Sequence, residues 1–188
     1  MRTPIRRSII YYSPDPCSHI KDASIIVLYS LVTSYGIRID TNLYIVSEDT
    51  SIIYVFDGHE QRYLHAQHKS LYNYLEKIFC HHRTYPGVKI ISHRTPYLEN
   101  HISRHGTLLF LVSGKERRSY STPLFPIISS IRHFIITNKC KYPMYDCISL
   151  GINDFVPALV FAHYLIDVVH GGWVRRRGRI EWYEGEKR

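Results

Sequence analysis

The segment Tyr145–Phe155 combines the pattern of a strand, a tight glycine turn and a helix start, and it continues into an apolar stretch that reaches Val169. Backbone amides and carbonyls at such a corner can bind a ligand without dedicated side chains. A glycine, which has no Cβ, lets the chain approach that ligand closely. The types and spacing of these residues therefore predict a cofactor-binding loop.

Two more loops of this kind follow apolar runs that predict strands. The three loops are Ser113–Glu116, Thr137–Cys140 and Ser149–Asp154. In open parallel sheets, ligands lie outside the carboxyl ends of the strands, where such loops converge. Taken alone, each loop is more often an ordinary turn, but their order along the chain favours one nucleotide-like ligand. Neither a GxGxxG nor a GxxxxGK[ST] sequence is present, which disfavours an ordinary dinucleotide or ATP site.

The spacing of apolar residues predicts the elements that would position these loops. Strand and helix patterns alternate, which favours an α/β protein with a mostly parallel sheet and helices on both faces. The predicted helices are one capped by Asp22 and stopped by Gly36, one from Leu64 to Phe79, a short one opened by Pro96, and one from Phe155 to Val169. The predicted strands are Asn42–Val46, Ser51–Phe56, Val88–Ile91, Leu108–Val112, Phe134–Thr137 and Tyr145–Leu150, of which the first two form a hairpin.

Length and composition bound the class of protein. With 188 residues and 45% hydrophobic content, the chain can bury one sizeable core. We expect one domain over residues 1–170 and a basic extension over residues 171–188 that turns as a hairpin near Gly178. The sequence shows no secretory signal pattern and no apolar run of bilayer length, so we expect a soluble cytoplasmic protein without a membrane partner.

The cysteines and histidines do not show the spacing of metal ligands. The four cysteines contain no CxxC pair, so we expect free thiols rather than a zinc ribbon or a thioredoxin-like site. A bridge between Cys140 and Cys147 is the alternative, as in intracellular proteins of hyperthermophiles. His65 and His68 would share a helix face, but no acidic or sulfur partner stands at ligand spacing, so we expect no metal site.

A formal net charge of +8 and a pI near 9.3 favour a polyanionic partner, with RNA or DNA first. The basic residues form three patches: Arg2, Arg6 and Arg7; Lys115, Arg117 and Arg118; and Arg175, Arg176, Arg177 and Arg179. Phosphate contacts would explain all three, and the aromatic residues of the tail could stack on bases. A solvated charged face, or a hairpin that closes the edge of the fold, would explain the tail equally well.

Four motifs, in this order along the chain, carry a resemblance to a known family. They are Ser34–Asp40 (Ser-Tyr-Gly-Ile-Arg-Ile-Asp), Thr84–Val88 (Thr-Tyr-Pro-Gly-Val), Phe134–Thr137 and Ile148–Gly151 (Ile-Ser-Leu-Gly). The chain resembles the archaeal TrmY family of the SPOUT (α/β-knot) superfamily, methyltransferases that methylate N1 of pseudouridine in the T-arm of tRNA. The resemblance implies a SPOUT-type fold whose carboxyl-terminal part forms a deep trefoil knot.

The resemblance also implies a cofactor, S-adenosylmethionine, bent among the three loops. The residues expected around it are Leu111, Ser113, Gly114, Thr137, Ser149, Leu150, Gly151, Ile152, Asn153 and Asp154. Leu111 and Leu150 would sandwich the adenine ring. The sequence departs from the family at Thr137, where glycine is usual, and near Val160, where the last helix usually carries a cysteine.

The motif Ser34–Asp40 supplies the expected catalytic residues. N1 of pseudouridine is a weak acid and must lose its proton as it attacks the methyl group. By resemblance, Asp40 would orient or accept this proton, and Arg38 would hold a phosphate or a base oxygen bidentately. The alternative is an Arg-x-Asp ion pair at a helix-to-strand junction. We expect the target base to be extruded into the pocket or reached in a distorted loop.

The resemblance predicts the partners as well. SPOUT enzymes are homodimers that use the last helix, so His163 and His170 on that helix are candidates for facing the partner subunit. The predicted function is S-adenosylmethionine-dependent methylation of tRNA. The alternatives are a cofactor-free basic RNA-binding module on the same fold, which Thr137 and the missing cysteine favour, and a SPOUT methyltransferase acting on ribosomal RNA.

Overall fold

The structure, a computed structural model, describes residues 6–33, 36–62, 64, 68–92, 98, 108–112, 127, 128, 130–141, 147–177 and 179–183. The helices within these ranges are α1 (Ile20–Leu31), α2 (His68–Phe79) and α3 (Phe155–His170). The strands are β1 (Arg6–Ser13), β2 (Val32–Thr33), β3 (Gly36–Arg38), β4 (Thr41–Ser47), β5 (Ile52–Asp57), β6 (Val88–Ser92), β7 (Leu108–Val112), β8 (His133–Thr137), β9 (Cys147–Ser149), β10 (Gly172–Arg176) and β11 (Arg179–Tyr183). None of the described helices is both long and apolar enough to cross a membrane.

The main sheet has seven strands in the order β6-β5-β4-β1-β8-β7-β9. The strands β4, β1, β8, β7 and β9 are parallel, while β5 and β6 extend the sheet by antiparallel pairing. The predicted hairpin is confirmed by β4 and β5, and the predicted strand Leu108–Val112 agrees with β7 at both ends. The prediction of an α/β fold with a mostly parallel sheet is confirmed.

The three described helices pack on one face of the main sheet. Their buried residues share a core cluster with Leu43, Phe56 and Phe134 of the strands. The opposite face has a cluster of its own, built from strand residues and Leu98. Leu98, which is helical, belongs to this second cluster, and the rest of the short helix predicted at Pro96 lies outside the described residues.

Helix α1 begins and ends earlier than predicted. Its buried face includes Ile20, Ala23, Val27 and Leu31. Asp22 lies in the first turn rather than at the cap, where its carboxylate complements the helix dipole. Gly36 does not stop the helix, because the chain becomes extended at Val32 and Gly36 belongs to β3.

The tail forms part of a second sheet with the order β11-β10-β3-β2. The hairpin predicted near Gly178 is confirmed by the antiparallel pairing of β10 with β11. β10 also pairs with β3, so the tail closes an edge of the fold. Gly36 is required at this contact, because its φ is 144° and an added Cβ would lie 2.2 Å from the carbonyl oxygen of Arg175.

All four cysteines form disulfides, so the prediction of free thiols is wrong. Cys17 pairs with Cys80, and Cys140 pairs with Cys147. Spacing along the chain could not reveal the first pair, because its members are 63 residues apart and meet only through the packing of α1 and α2, with their Cα atoms 5.0 Å apart. Two disulfides are typical of oxidising compartments and of intracellular proteins from hyperthermophiles.

Candidate functional site

The candidate site lies at the carboxyl edge of the parallel strands, where the loops after β8 and β9 meet the start of α3. From β1 the chain proceeds to β4 on one side, and from β8 it proceeds past β7 to β9 on the other. The direction of the strand order therefore changes between β1 and β8. Open parallel sheets bind ligands outside the carboxyl ends of their strands at such a point.

Asn138 closes the crevice between β1 and β8. Its side-chain oxygen accepts a hydrogen bond from the backbone N–H of Tyr12 at 2.9 Å, and its amide donates one to the carbonyl of Tyr12 at 2.9 Å. These two bonds extend the β1–β8 ladder by one side chain. A ligand therefore cannot enter between β1 and β8 at the position of Asn138.

Thr137, the predicted cofactor residue in this loop, is fully buried. Its hydroxyl donates a hydrogen bond to the carbonyl of Lys139 at 3.0 Å and accepts one from the N–H of Lys139 at 3.2 Å. The hydroxyl is therefore engaged within its own loop. The β-branched side chain also fills volume that a glycine would leave to a ligand.

Two lysines hold the same loop from the outside. Lys139 Nζ lies 2.6 Å from Glu48 Oε2, and Lys141 Nζ lies 2.5 Å from Glu48 Oε1. The hydrogen bonds from Lys139 and then Lys141 hold the pKa of Glu48 below its ordinary value. Because all three side chains are partly exposed, we expect these pairs to order the loop more than they stabilise the fold.

The turn after β9 is the most open part of the site. Ser149 Oγ accepts a hydrogen bond from the N–H of Gly151 at 3.1 Å, which closes the turn. Gly151 has a left-handed φ of 70°, and an added Cβ would meet no atom of the described residues within 4 Å. The other predicted residues of this turn are Leu150, Ile152, Asn153 and Asp154, all at least partly exposed. Their backbone groups can bind a ligand, and the first amides of α3 favour negative charge there.

The disulfide between Cys140 and Cys147 connects the two loops of the site. Cys140 directly follows Lys139, and Cys147 is the first residue of β9. The bridge thus ties the segment after β8 to the strand that carries the Ser149–Gly151 turn. It limits how far the two loops can separate.

A cleft of about 180 Å³ lies beside the start of α3. It is lined by Tyr11, Asp22, Ile25, Ile26, Asp154, Phe155 and Val156. Tyr11 stacks on Phe155 with 5.2 Å between the ring centroids, and burial, then the charge of Asp22, raises the pKa of Tyr11. Apolar walls with two carboxylates at the rim suit a small group that carries a positive charge. Sequence spacing could not predict this cleft, because it joins β1, α1 and α3.

Leu111 is placed differently from the prediction. It lies in β7 between Ile136 and Ile148 of the neighbouring strands and is fully buried in the main core. Its side chain therefore offers no surface to an adenine ring in this structure, while Leu150 is only partly buried. The other predicted residues of the first loop, Ser113, Gly114, Lys115, Arg117 and Arg118, lie outside the described residues.

The predicted catalytic pair belongs to a buried ion cluster at the amino edge of the sheet. Arg38 binds the carboxylate of Asp167 through two hydrogen bonds of 3.0 and 2.8 Å. Arg7 lies 2.6 Å from Asp167 and 3.7 Å from Asp40. Asp40 also accepts hydrogen bonds from the Thr41 hydroxyl at 3.2 Å and from the backbone N–H of Trp173 at 3.4 Å.

This cluster is far from the candidate cofactor turn within one chain. Thr137 and Ser149 lie level with Ile10, three residues and roughly 10 Å beyond Arg7 along the strands, and β9 lies three strands, roughly 14 Å, from β1 across the sheet. The side chain of Asp40 is 3% exposed, so a substrate has little access to it. The structure therefore groups Arg38 and Asp40 with each other and separates them from Thr137 and Gly151.

Three members of the amino-edge cluster were not predicted to lie there. Arg7, predicted as part of an RNA-binding patch, is 1% exposed and donates a hydrogen bond to the carbonyl of Gly171 at 3.2 Å. His163, a candidate for facing a partner subunit, is buried with its Nδ1 3.5 Å from Arg7 Nη1. Burial, then the charges of Arg38 and Arg7, lowers the pKa of His163 well below 6.5. The burial of Asp167 in this cluster could not be predicted from the sequence, because an acidic residue late in a helix is ordinarily solvent-exposed.

The remaining predicted residues are the arginines of the tail and the histidines. Arg175 is partly buried, whereas Arg176, Arg177 and Arg179 are exposed. Within the described ranges, no group of three or more histidine, cysteine or acidic residues could hold a metal ion. A comparison with protein-family models and with curated proteins found no match for this chain. The resemblance to the TrmY family therefore depends on the four sequence motifs alone.

Proposed function

We propose that this protein is an S-adenosylmethionine-dependent RNA methyltransferase of the SPOUT type, with N1 of pseudouridine in the T-arm of tRNA as its target. The observation that carries the proposal is the Ser149–Gly151 turn. It ends a parallel strand, has no described atom within 4 Å of a Cβ built at Gly151, and belongs to the motif Ile148–Gly151 that resembles the family. The carboxyl-terminal knot is part of the same proposal. It stays a prediction because the connections that would thread it, 113–126 and 142–146, lie outside the described residues.

At the carboxyl edge of the sheet, the residues after β9 fit the cofactor better than those of β7 and β8. Backbone groups from Leu150 to Asn153 are exposed enough to bind it, and Gly151 leaves room for it. Leu111 and Thr137 do not fit in their described positions, because both are fully buried. The bound cofactor would supply a methyl group on a positively charged sulfur, and the acidic rim at Asp154 would favour that charge.

In this proposal Arg38 and Asp40 have a structural role and do not contact the substrate bound by their own chain. Asp167 holds Arg38, while Arg7 and the backbone N–H of Trp173 hold Asp40. Removal of the N1 proton would then be assisted by a group other than Asp40 of the same chain, or by water.

We include a homodimer in the proposal because of the outer face of α3. Val160, Phe161 and Tyr164 are 44%, 37% and 47% exposed, an unusual amount of apolar surface for one helix. A second copy would cover this face. We expect the parent protein to have twice the chain mass by light scattering and Tyr164→Lys to reduce it; a monomeric parent would contradict this part.

A cofactor-free RNA-binding module is the second candidate, and one observation favours it. The Thr137 hydroxyl is engaged by Lys139 on both of its hydrogen-bonding sides, and the side chain occupies the place where the family has glycine. A loop closed in this way has little room for a ligand. The basic composition would then serve RNA binding alone.

Calorimetric titration with S-adenosylmethionine and S-adenosylhomocysteine separates the two candidates. We expect micromolar affinity for the parent protein, typical of a metabolite site. Gly151→Val should weaken binding at least tenfold relative to Gly151→Ala. Both variants are strained at a φ of 70°, and valine more than alanine because it is β-branched. Affinities are therefore compared only after thermal denaturation shows that both variants are folded at the titration temperature.

The controls give each result one meaning. If the folded parent protein binds neither ligand, the methyltransferase proposal fails and the RNA-binding module replaces it. If the parent, Gly151→Ala and Gly151→Val bind equally well, the turn after β9 is not part of the site.

A further inference from the structure

The tip of the tail hairpin carries arginines at a cost to its own stability. Arg176 of β10 and Arg179 of β11 are direct cross-strand partners. Like charges in directly opposite positions destabilise an antiparallel pair. No ion pair found among the described residues involves either arginine. The repulsion between them is therefore not offset by a described acidic partner.

Arg177, at the turn itself, has a second cost. Its φ is 48°, in the left-handed region. Short hairpin turns favour glycine, asparagine or aspartate in this conformation, because other side chains crowd the backbone there. An arginine at this position serves the turn less well than the common turn residues. Two independent costs thus fall on one group of exposed cations.

Arg175, the neighbour of this group, has a different role. Its guanidinium donates hydrogen bonds to the carbonyl oxygens of Gln61 at 2.9 Å and His59 at 2.7 Å. It therefore joins the hairpin to the segment after β5 and is partly buried. The basic run of the tail divides into one structural arginine and three outward ones.

We propose that Arg176, Arg177 and Arg179 form a docking surface for the phosphates of a structured RNA. A bound polyanion would neutralise these cations and so offset the repulsion between them. This inference rests on the RNA-directed function proposed above and adds the place where the RNA binds.

The position of the hairpin determines what this docking would affect. The second sheet joins the main fold at the amino edge, where the N–H of Ile39 donates to the carbonyl of Trp173 at 3.0 Å. The candidate cofactor turn follows β9, which lies three strands from β1 across the sheet and ends roughly 10 Å further along the strands than Arg7. The arginines are therefore positioning residues, and their loss should raise KM for RNA while leaving kcat and cofactor affinity unchanged.

The test replaces all three arginines with Arg176→Gln, Arg177→Asn and Arg179→Gln. Binding to a transcribed tRNA is measured by fluorescence anisotropy at several salt concentrations. We expect weaker binding and a slope of log K against log salt reduced by about 2 to 3, since each phosphate contact contributes about 0.7 to 0.9. The thermal midpoint should stay the same or rise, because the repulsion and the turn strain are removed.

The matched control is Lys69→Gln, Lys77→Gln and Lys89→Gln, which removes the same charge from exposed positions elsewhere. An equal loss of affinity in this control would overturn the proposal, since net charge alone would then explain binding. Equal binding of the parent to a DNA duplex of the same charge would overturn the assignment to RNA. The two proposals can fail separately. If the parent binds no S-adenosylmethionine but the arginine variant loses tRNA binding, the methyltransferase proposal fails and the docking surface is supported.

Discussion

At the amino edge of the sheet, Arg7 and Arg38 are buried against Asp40 and Asp167, whereas at the carboxyl edge Gly151 and its neighbours are left partly open. Both edges of the sheet contain clustered polar groups, which the packing of an apolar core does not require. In the first, the charges cancel and hydrogen bonds join β1, the segment before β4, α3 and β10. At the carboxyl edge, the backbone groups of Leu150–Asn153 are at least partly exposed, and no described atom lies within 4 Å of a Cβ built at Gly151.

The difference separates stability from binding in this protein. Two cations and two carboxylates that pair with each other leave no net charge for a ligand and are costly to disrupt. An exposed turn with a left-handed glycine contributes little to stability but can admit a ligand. Mutations at the amino edge should therefore change stability without changing ligand binding, and mutations at the turn after β9 should do the reverse.

The largest effect is expected for Asp167→Asn at the amino edge. This change removes the charge that faces Arg7 at 2.6 Å and Arg38 at 2.8 Å while keeping the shape of the side chain. Asp40, which lies 3.7 Å from Arg7, would then be the remaining carboxylate beside two largely buried guanidinium groups. We expect the free energy of unfolding to fall by about 3 to 5 kcal/mol, measured by urea denaturation.

Glu48→Gln is the matched control at the carboxyl edge. It also removes a carboxylate with two cationic partners, but Lys139 and Lys141 are 44% and 46% exposed. Solvent screening limits the expected loss to below about 1 kcal/mol. Equal losses in the two variants would mean that burial does not distinguish the edges. Folded Asp167→Asn protein should also keep the cofactor affinity of the parent.

The sequence predicted the helices and strands better than it predicted which side chains contact each other between them. Periodicity located β4, β5, β7 and α3, because each is a continuous apolar run, and β4 and β5 are buried on both faces of the sheet. Arg7, Arg38 and Asp167 belong to three different elements, and only the packed fold brings them together. Their types are those of surface residues, so no local pattern could have indicated burial.

The candidate site was predictable only in part for the same reason. The turn Ser149–Gly151 is local, and its position at the end of a strand agrees with the structure. The bond from Asn138 to Tyr12 spans 126 residues, and the burial of Thr137 depends on neighbouring strands. Contacts of this kind decide how much room a loop leaves for a ligand, and spacing along the chain does not report them.

The two disulfides provide the second comparison, since one lies at the candidate site and the other does not. Cys17–Cys80 spans 63 residues and Cys140–Cys147 spans 7. By loop-closure entropy, serine replacement of both members should cost about 4 kcal/mol for the first pair and about 2 kcal/mol for the second. Only the second replacement should weaken S-adenosylmethionine binding, measured by calorimetry. The idea that the bridge orders the site would be abandoned if the long-range pair weakened binding just as much.

The smallest expected effect is a dependence of stability on pH that comes from the amino edge. Burial, then Arg38 and Arg7, holds the pKa of His163 well below 6.5. Below pH 6.5 the unfolded chain therefore binds a proton that the folded protein does not, so stability is lost as pH falls from 6.5 toward the folded pKa. The slope for one proton is at most about 1.4 kcal/mol per pH unit. The lowered pKa values of Glu48 and Asp15 start from 4.5 and 3.8, so these carboxylates act at lower pH.

His163→Gln should remove most of this dependence between pH 6.5 and 5.5, measured as the change in the free energy of unfolding in urea. His170→Gln is the control on the same helix. The pKa of His170 is also lowered, first by burial, but a hydrogen bond with the carbonyl of Ile128 opposes the shift. His170 should therefore contribute less than His163. If the parent and His163→Gln lose stability equally over this range, the acid sensitivity does not come from the amino-edge cluster, and burial of the histidine against two arginines is not what distinguishes that edge.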